Sequence, residues 1–505
     1  MKKLIAMLLC LAMVLSIVAC GAAPASSSEA APASSEEAAP ASSEEAAPAS
    51  SEEAAPASSE EEAPAEEGPK VDENGLTTEE ITLQWRAMSW TDEQAAEMIA
   101  AWEEVHPNIH VVYTNLSGSG DQQDNLKNFD IMLASGEVVD ITYYTIMEEY
   151  MRWMNDGALP IDEYIAQAGD DYVAMFGEGA KAACSFNGSI YGIPWANNTF
   201  KVFYNKTLMD EKGITIPDVW SIEEFTEIAQ QLNDPENGFY GCIIPSTWTD
   251  LPFTMAENSG WEHVVRDEAG NIVPNYDDPR FRKVCQWLYD IAETWEISPS
   301  KATIQSESLN RRAALASGKT AMIMDGPYTL VWMNRYQFND PAEPLDFELG
   351  VAELPYLDED GKEVTFGEMV GAWYVPKTSA YPREAYEFCK FMAVEYADKL
   401  TYMPAALTAD LEAAAINGLD TFTDEAGVEH TDIYPEGVAL KAVDLPFENF
   451  VAKWGKDYGL AAYYNIGLTV LDESLSLYLG GEKTLDEFVD YMNETVGNEI
   501  KNANF

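Results

Sequence analysis

Two runs of short apolar segments, each alternating with capped amphipathic helices, constrain this chain more than any other feature. The first run begins at "ITLQWR" (81–86), where apolar and polar residues alternate as in a strand. Thr91-Asp-Glu-Gln94 then forms a capping box. The helix it opens carries Met98, Trp102 and Val105 on one face and stops before Pro107. Ile109–Tyr113 reads as a second strand, 121–135 as a second amphipathic helix closed by Gly136, and Val138–Tyr143 as a third strand. Strand–helix–strand–helix–strand implies a parallel sheet with right-handed crossovers. Ligands of such sheets lie beyond the carboxyl ends of strands. Here those positions are Met88-Ser89-Trp90, Ser117–Asp121 and Tyr143–Thr145.

The pattern restarts at Lys201–Tyr204, a strand, with Asn205 as N-cap of a short helix ending at Gly213. Ser221-Ile-Glu-Glu224 is a further capping box, for a helix through Leu232. Tyr240–Pro245 is a buried strand with Trp248 after it. Helices follow over Phe281–Trp295 and Leu309–Ala316, and a strand over Thr320–Met324 leads into Asp325-Gly-Pro-Tyr328. Near Val370 a strand enters a helix with Ala385, Phe388, Phe391 and Met392 on its apolar side. After Gly480-Gly481, Thr484-Leu-Asp-Glu487 caps a helix bearing Leu485, Phe488, Met492 and Val496. The fold class is therefore α/β. About 425 residues of globular composition exceed the ~250–300 at which one core stops growing, so two lobes are expected.

The N-terminus differs in kind. Lys2 and Lys3 precede an apolar stretch, Leu4–Val18, of signal-peptide length and too short to span a bilayer. Ile17-Val18-Ala19-Cys20 resembles the bacterial lipobox, which implies cleavage before Cys20 and a diacylglycerol on its sulfur; ordinary cleavage near Ala22 is the alternative. Residues 21–69 are almost wholly Ala, Ser, Glu and Pro, with "EEAAPASS" at 36–43, 44–51 and 52–59. With nothing larger than Ala to stack, no core can offset the ordering entropy, and proline and paired glutamates keep the chain extended. The segment reads as a disordered stalk (20–77) behind a signal peptide (1–19); a partner-binding tail is the other reading.

Composition removes several functions. With 87 acidic against 29 basic residues the net charge is −58, which repels phosphate backbones and disfavours anionic substrates. Cys184, Cys242, Cys285 and Cys389 lack disulfide-framework spacing and are expected to be buried thiols. "SGKT" at 317–320 is not a P-loop, since Ala313 stands where that loop needs glycine and a helix, not a strand, precedes it. His106 and His110 are separated by Pro107 and a strand start, and His263 and His430 stand apart from them, so no metal site is indicated. "DED" at 358–360 lacks the later ligands of a calcium loop. The turns at 267–270, 424–427 and Asp360-Gly361 suit hairpins. No cofactor is expected.

Several stretches together resemble the family 1 extracellular solute-binding proteins, carbohydrate-binding subunits of ABC importers related to maltose-binding protein. They include "AAWEEVHPNIHVVY", "LASGEVVDI", "GSIYGIPWANNTFKVFYNKTLMDEKGI", "ASGKTAMIMDGPY", "VPKTSAYPREAYEFCKFM" and "GGEKTLDEFVDYMNETV", in the family's order across nearly all of 80–505. Val139-Asp140 departs from the family's usual Pro-Asp. The resemblance implies a two-lobed periplasmic-binding-protein-like fold, each lobe an α/β sheet sandwiched by helices, with ligand in the cleft between. It places lobe 1 at 78–195 plus about 370–435 and lobe 2 at 196–369 plus about 436–505. Hinge crossings would fall near Pro194–Phe200 and Gly371–Val375. It further implies a monomer, lipid-anchored on the extracellular face of the membrane, that delivers ligand to an ABC permease and is not an enzyme.

A sugar presents apolar CH faces and dense hydroxyls, which aromatic rings and Asn or Asp side chains match respectively. The ligand-binding set is therefore Trp90, Tyr144, Trp195, Asn197, Asn198, Trp248, Asp325, Tyr328, Gly371 and Trp373, while Trp102, Trp287 and Trp295 are expected in cores. A surface glycoside hydrolase, needing two carboxylates across a bond, and a lectin-like adhesin are the alternatives.

Overall fold

The computed structural model describes residues 70–87, 92–116, 122–144, 157–244, 253–339, 344–399, 403–444, 449–452 and 460–502. The strands that organise it are β1 (Ile81–Ala87), β2 (Ile109–Asn115), β3 (Ile141–Tyr144), β4 (Gly192–Thr199), β5 (Lys201–Asn205), β6 (Tyr240–Ile243), β7 (Thr320–Asp325), β8 (Leu349–Glu353), β9 (Val364–Tyr374), β10 (Met403–Pro404) and β11 (Asn449–Ala452). They form two sheets, one for each of two lobes. The first has seven strands in the order β10-β4-β9-β3-β1-β2, with β11 added on β9. The second has four, ordered β8-β5-β7-β6.

In the first sheet β1 lies parallel to both β2 and β3, as the alternating pattern requires, with Ile81 opposite Ile109 and Trp85 opposite Ile141. The helix over Asp92–Val105 buries Met98 and Trp102. Val105, expected on the same face, is instead exposed, because it sits in the final turn where the chain leaves the sheet. Trp102 packs edge-on against Phe388 and Phe391 and donates its indole N–H to the Ile109 carbonyl. β3 starts at Ile141 rather than Val138. The buried Asp140 carboxylate is occupied before it, accepting from the Gln84 and Ala380 backbone N–H groups and the Ser379 hydroxyl.

The second lobe keeps the predicted caps. Asn205 accepts from the Leu208 N–H, Ser221 and Glu224 close a reciprocal capping box, and Gly213 ends its helix in the left-handed region. Helices over Ile222–Leu232 and Pro279–Tyr289 share the Phe225–Trp287 contact, and Phe281 stacks on Phe488 of the C-terminal helix. Two helices end in π turns that periodicity does not announce, Asp290–Thr294 and Phe391–Glu395. Asp360-Gly361 lies in a 3-10 turn, not a hairpin, whereas 267–270 and 424–427 each join an antiparallel pair. Cys184, Cys242, Cys285 and Cys389 are all buried.

The described residues include the following links between the lobes. β4 becomes β5 across Phe200 alone. The second link runs from Glu353 to Val364, upstream of the expected Gly371–Val375. Those residues are interior to the first sheet, with Trp373 opposite both Tyr143 and Ile193. The third follows β10. The resemblance keeps residues to about 435 in lobe 1, yet Ala415, Leu419, Tyr434 and Val443 share a core with Phe203, Ile323 and Met333 of the second sheet's side. The Tyr434 hydroxyl bonds the Leu330 carbonyl and Asn334 Oδ1, and Asn334 Nδ2 donates to the Leu419 carbonyl.

Candidate functional site

The candidate ligand residues divide into two groups, one per lobe. Trp90 and Trp248 lie outside the described residues, as does Cys20, and of Tyr144 and Asn198 only the backbone is described. In the first lobe, Trp195 on β4 and Trp373 on β9 meet with ring centroids 5.8 Å apart. Tyr143 stands edge-on to both, at 5.7 and 5.5 Å, and Trp85 lies 5.5 Å from Trp373. Trp195 is 0% and Trp373 1% exposed, so both indoles are core in this conformation. Gly371 marks the register irregularity between β9 and β4, a bulge of the kind that re-aims side chains at sites. Asn197, half-buried, sits on β4 opposite Met369 and Met403.

In the second lobe the group forms at the carboxyl end of β7. Asp325 is its last residue and fully buried. Arg311 approaches the carboxylate through Nε and Nη2 at 3.0 and 2.9 Å, Arg312 through the same atoms at 2.6 and 3.1 Å, and the Gly326 N–H adds a bond of 2.9 Å. Burial alone would raise its pKa, but the two guanidiniums outweigh burial and bring it down to about 2. The protein itself thus fills the acceptor sites of Asp325, and its part is to hold the arginines. Arg312 lies 4.7 Å from the Tyr328 ring centre and 5.9 Å from that of Trp332; Arg335 covers Trp332 at 4.9 Å. Guanidiniums on aromatic faces fix the rings at little entropic cost.

Sequence reasoning missed Arg311, Arg312 and Trp332. Their available signal was an Arg-Arg pair in a chain so poor in basic residues, with Trp332 and Arg335 one helical turn apart after Asp325-Gly-Pro-Tyr328. Trp332 is 37% exposed while Tyr328 is 9% exposed, so the array presents one open ring and one shielded ring. Among the described residues no cluster of His, Cys, Asp and Glu could hold a metal, and no helix is long and apolar enough to cross a membrane. A separate cavity of about 390 Å³ lies in the second lobe beside Trp287 and Trp295.

The chain is similar to the maltotriose-binding protein of Pyrococcus abyssi, 22% identical over 282 residues, a stretch covering 55% of this chain and only about half, 54%, of that protein. It is 23% identical over 373 residues to the maltooligosaccharide ABC transporter solute-binding lipoprotein of Streptococcus pneumoniae, covering 72% of this chain and 82% of the relative. In fold it resembles an ABC substrate-binding protein from Listeria monocytogenes solved with cycloalternan. There the TM-score is 0.66 and the identity 17%, over 83% of this chain and 99% of that one. The family pattern described as bacterial extracellular solute-binding protein matches residues 89–397, more than half of the sequence, and the chain belongs to that family.

Proposed function

We propose that this protein captures a mono- or oligosaccharide between its two lobes and delivers it to an ABC permease, making and breaking no bond itself. The observation that carries the reading is the array at the end of β7, where Arg312 and Arg335 brace Tyr328 and Trp332. Braced rings with a guanidinium at their margin suit a pyranose, whose CH face stacks while its hydroxyls accept from arginine. The relatives support the same ligand class, being named for maltotriose and maltooligosaccharide, and they are binding proteins.

In this reading Trp90, Tyr144, Asn197, Asn198 and Gly371 face the ligand from lobe 1 and the crossings, and Trp248 and Tyr328 from lobe 2. Trp195 and Trp373 serve as a stiff backing in the conformation described. Ligand touching both lobes stabilises the closed form by its differential affinity. Cys20 carries the lipid, and the Ala/Ser/Glu/Pro stretch up to about residue 69 lifts a monomer off the extracellular face of the membrane. Residues 70–77, expected in that stalk, instead pack on the first lobe, where Leu76 is buried in the core and Arg383 donates to the Asn74 carbonyl.

A thermal-shift screen over mono- and oligosaccharides tests the proposal. Binding at 100 Kd stabilises by about 2.7 kcal/mol, enough to resolve as a raised Tm. A shift with polyamines or peptides and none with any sugar overturns it, as does release of products from a bound glycoside.

A further inference from the structure

The second lobe contains an open cavity of about 390 Å³ lined by the helices Ile222–Leu232 and Pro279–Tyr289 and by Trp295. It is separate from the array at the end of β7. Its floor is apolar because its polar atoms are already paired: Trp287 Nε1 donates to Thr226 Oγ1, which donates to the Ile222 carbonyl. Trp295 is 39% exposed, and its backbone is held in place. Its backbone N–H bonds the Asp290 carbonyl, the π turn Asp290–Thr294 sets its direction, and Glu296 holds φ at +52° with its carbonyl tied to Asn233. A π turn inserted at a helix end commonly marks a functional position, and here it is what brings Trp295 over the cavity.

The rim decides the ligand. Lys283 pairs with Glu223 at 3.1 Å and donates to the Leu357 carbonyl, while Gln286 Nε2 donates to Asp290, leaving Gln286 Oε1 as an acceptor. Lys283 is spent on Glu223 and the Leu357 carbonyl, which leaves no spare cation for an anion, and Asp290 already accepts from Gln286 Nε2 and the Thr294 hydroxyl, so both carboxylates have donors. What fits a rim of mixed donors and acceptors above a tryptophan face is a neutral polyhydroxylated ring. The volume is near the lower end of the ~300–1,000 Å³ of small-molecule sites.

We infer that this cavity is a second, external saccharide site in which a pyranose stacks on Trp295. The choice of saccharide rests on the proposed function; the existence of the site does not. Titration of the full chain with maltose and maltotriose, by calorimetry and tryptophan fluorescence, tests it, using Trp295→Ala, Gln286→Ala and Tyr328→Ala. Two binding events are expected. Trp295→Ala and Gln286→Ala, with unchanged Tm, weaken only one of them, by about tenfold for the stacking residue. Tyr328→Ala weakens the other. A single event lost in Tyr328→Ala and untouched in Trp295→Ala overturns the second site alone. Binding lost in Trp295→Ala but intact in Tyr328→Ala upholds it and overturns the cleft reading. No binding of either sugar by the wild type overturns the site as a saccharide site.

Discussion

Lys201 Nζ, fully buried, donates to both carboxylate oxygens of Glu353, at 2.7 and 2.8 Å, and also to Asp444 Oδ1 at 2.9 Å. Lys201 opens the strand that has just crossed from the first sheet, Glu353 ends the strand about to cross back, and Asp444 follows the helix Val438–Val443 ahead of β11. One ammonium therefore fixes the second-lobe roots of the segments between sheets. Burial raises the Glu353 pKa, with Lys201 opposing. Lys201→Met removes that opposition and leaves a buried carboxylate, at a cost of about 3 kcal/mol near neutral pH. A carboxyl with a raised folded-state pKa gains stability as pH falls through that value. The deficit in urea unfolding should therefore be larger at pH 8 than at pH 5, and a pH-independent deficit contradicts this account.

Asp325 has the opposite sign. Its folded-state pKa of about 2 lies below the ordinary aspartate value, so its ion pairs stabilise the fold above that ordinary value, and the contribution disappears as pH falls through about 2. The shift corresponds to about 2 kcal/mol. Asp325→Asn, which keeps the shape but not the charge, should lower stability at pH 7 and converge with wild type by about pH 2. Parallel unfolding curves across that range would show that the arginines are not held by this charge.

Gly326 separates Asp325 from the aromatic array with no room to spare. A Cβ there would stand 2.5 Å from Tyr328 Cε1 and 2.8 Å from its Cζ. Gly326→Ala must therefore push the Tyr328 ring off Arg312. If the array binds sugar, this variant and Trp332→Ala should each weaken saccharide affinity by about tenfold or more while the fold persists, since stacked rings are worth ~0.5–1.5 kcal/mol beyond area and hydrogen bonds are lost with them. Calorimetric titration measures it; unchanged affinity in both removes the array from the site.

The parts legible in the sequence were those governed by local periodicity and capping. Ser221–Glu224 and Asn205 cap where their side chains can reach, and Met98, Trp102, Phe488 and Val496 are buried where helical spacing puts them. Val105 escaped because periodicity does not register where a helix leaves its sheet. The Asp325–Arg311–Arg312 cluster joins neighbours that no spacing rule pairs, since a helix and the strand after it must fold back before the charges meet. Trp195 was legible as an unusual aromatic at a crossing, but its burial against Tyr143 and Trp373 depends on pairing between β3, β4 and β9, which are distant in sequence. Trp295, expected in a core, is carried to the surface by a π turn with no composition signal.

The cysteines give a test of the two cores together. Cys184 and Cys389 sit in the first lobe's core, Cys242 and Cys285 in the second's. Burial pushes the thiols of Cys242 and Cys285 well above their ordinary range, so almost no thiolate is present at neutral pH. In the native protein all four should resist a thiol-specific aromatic disulfide reagent for hours, and all four should react at once in guanidinium. Because the pairs lie in different lobes, partial denaturant resolves the lobes. If they unfold separately, two thiols react at a lower concentration than the other two, and mass spectrometry identifies which core opened. Rapid native labelling of Cys242 or Cys285 would contradict the packing described for the second lobe.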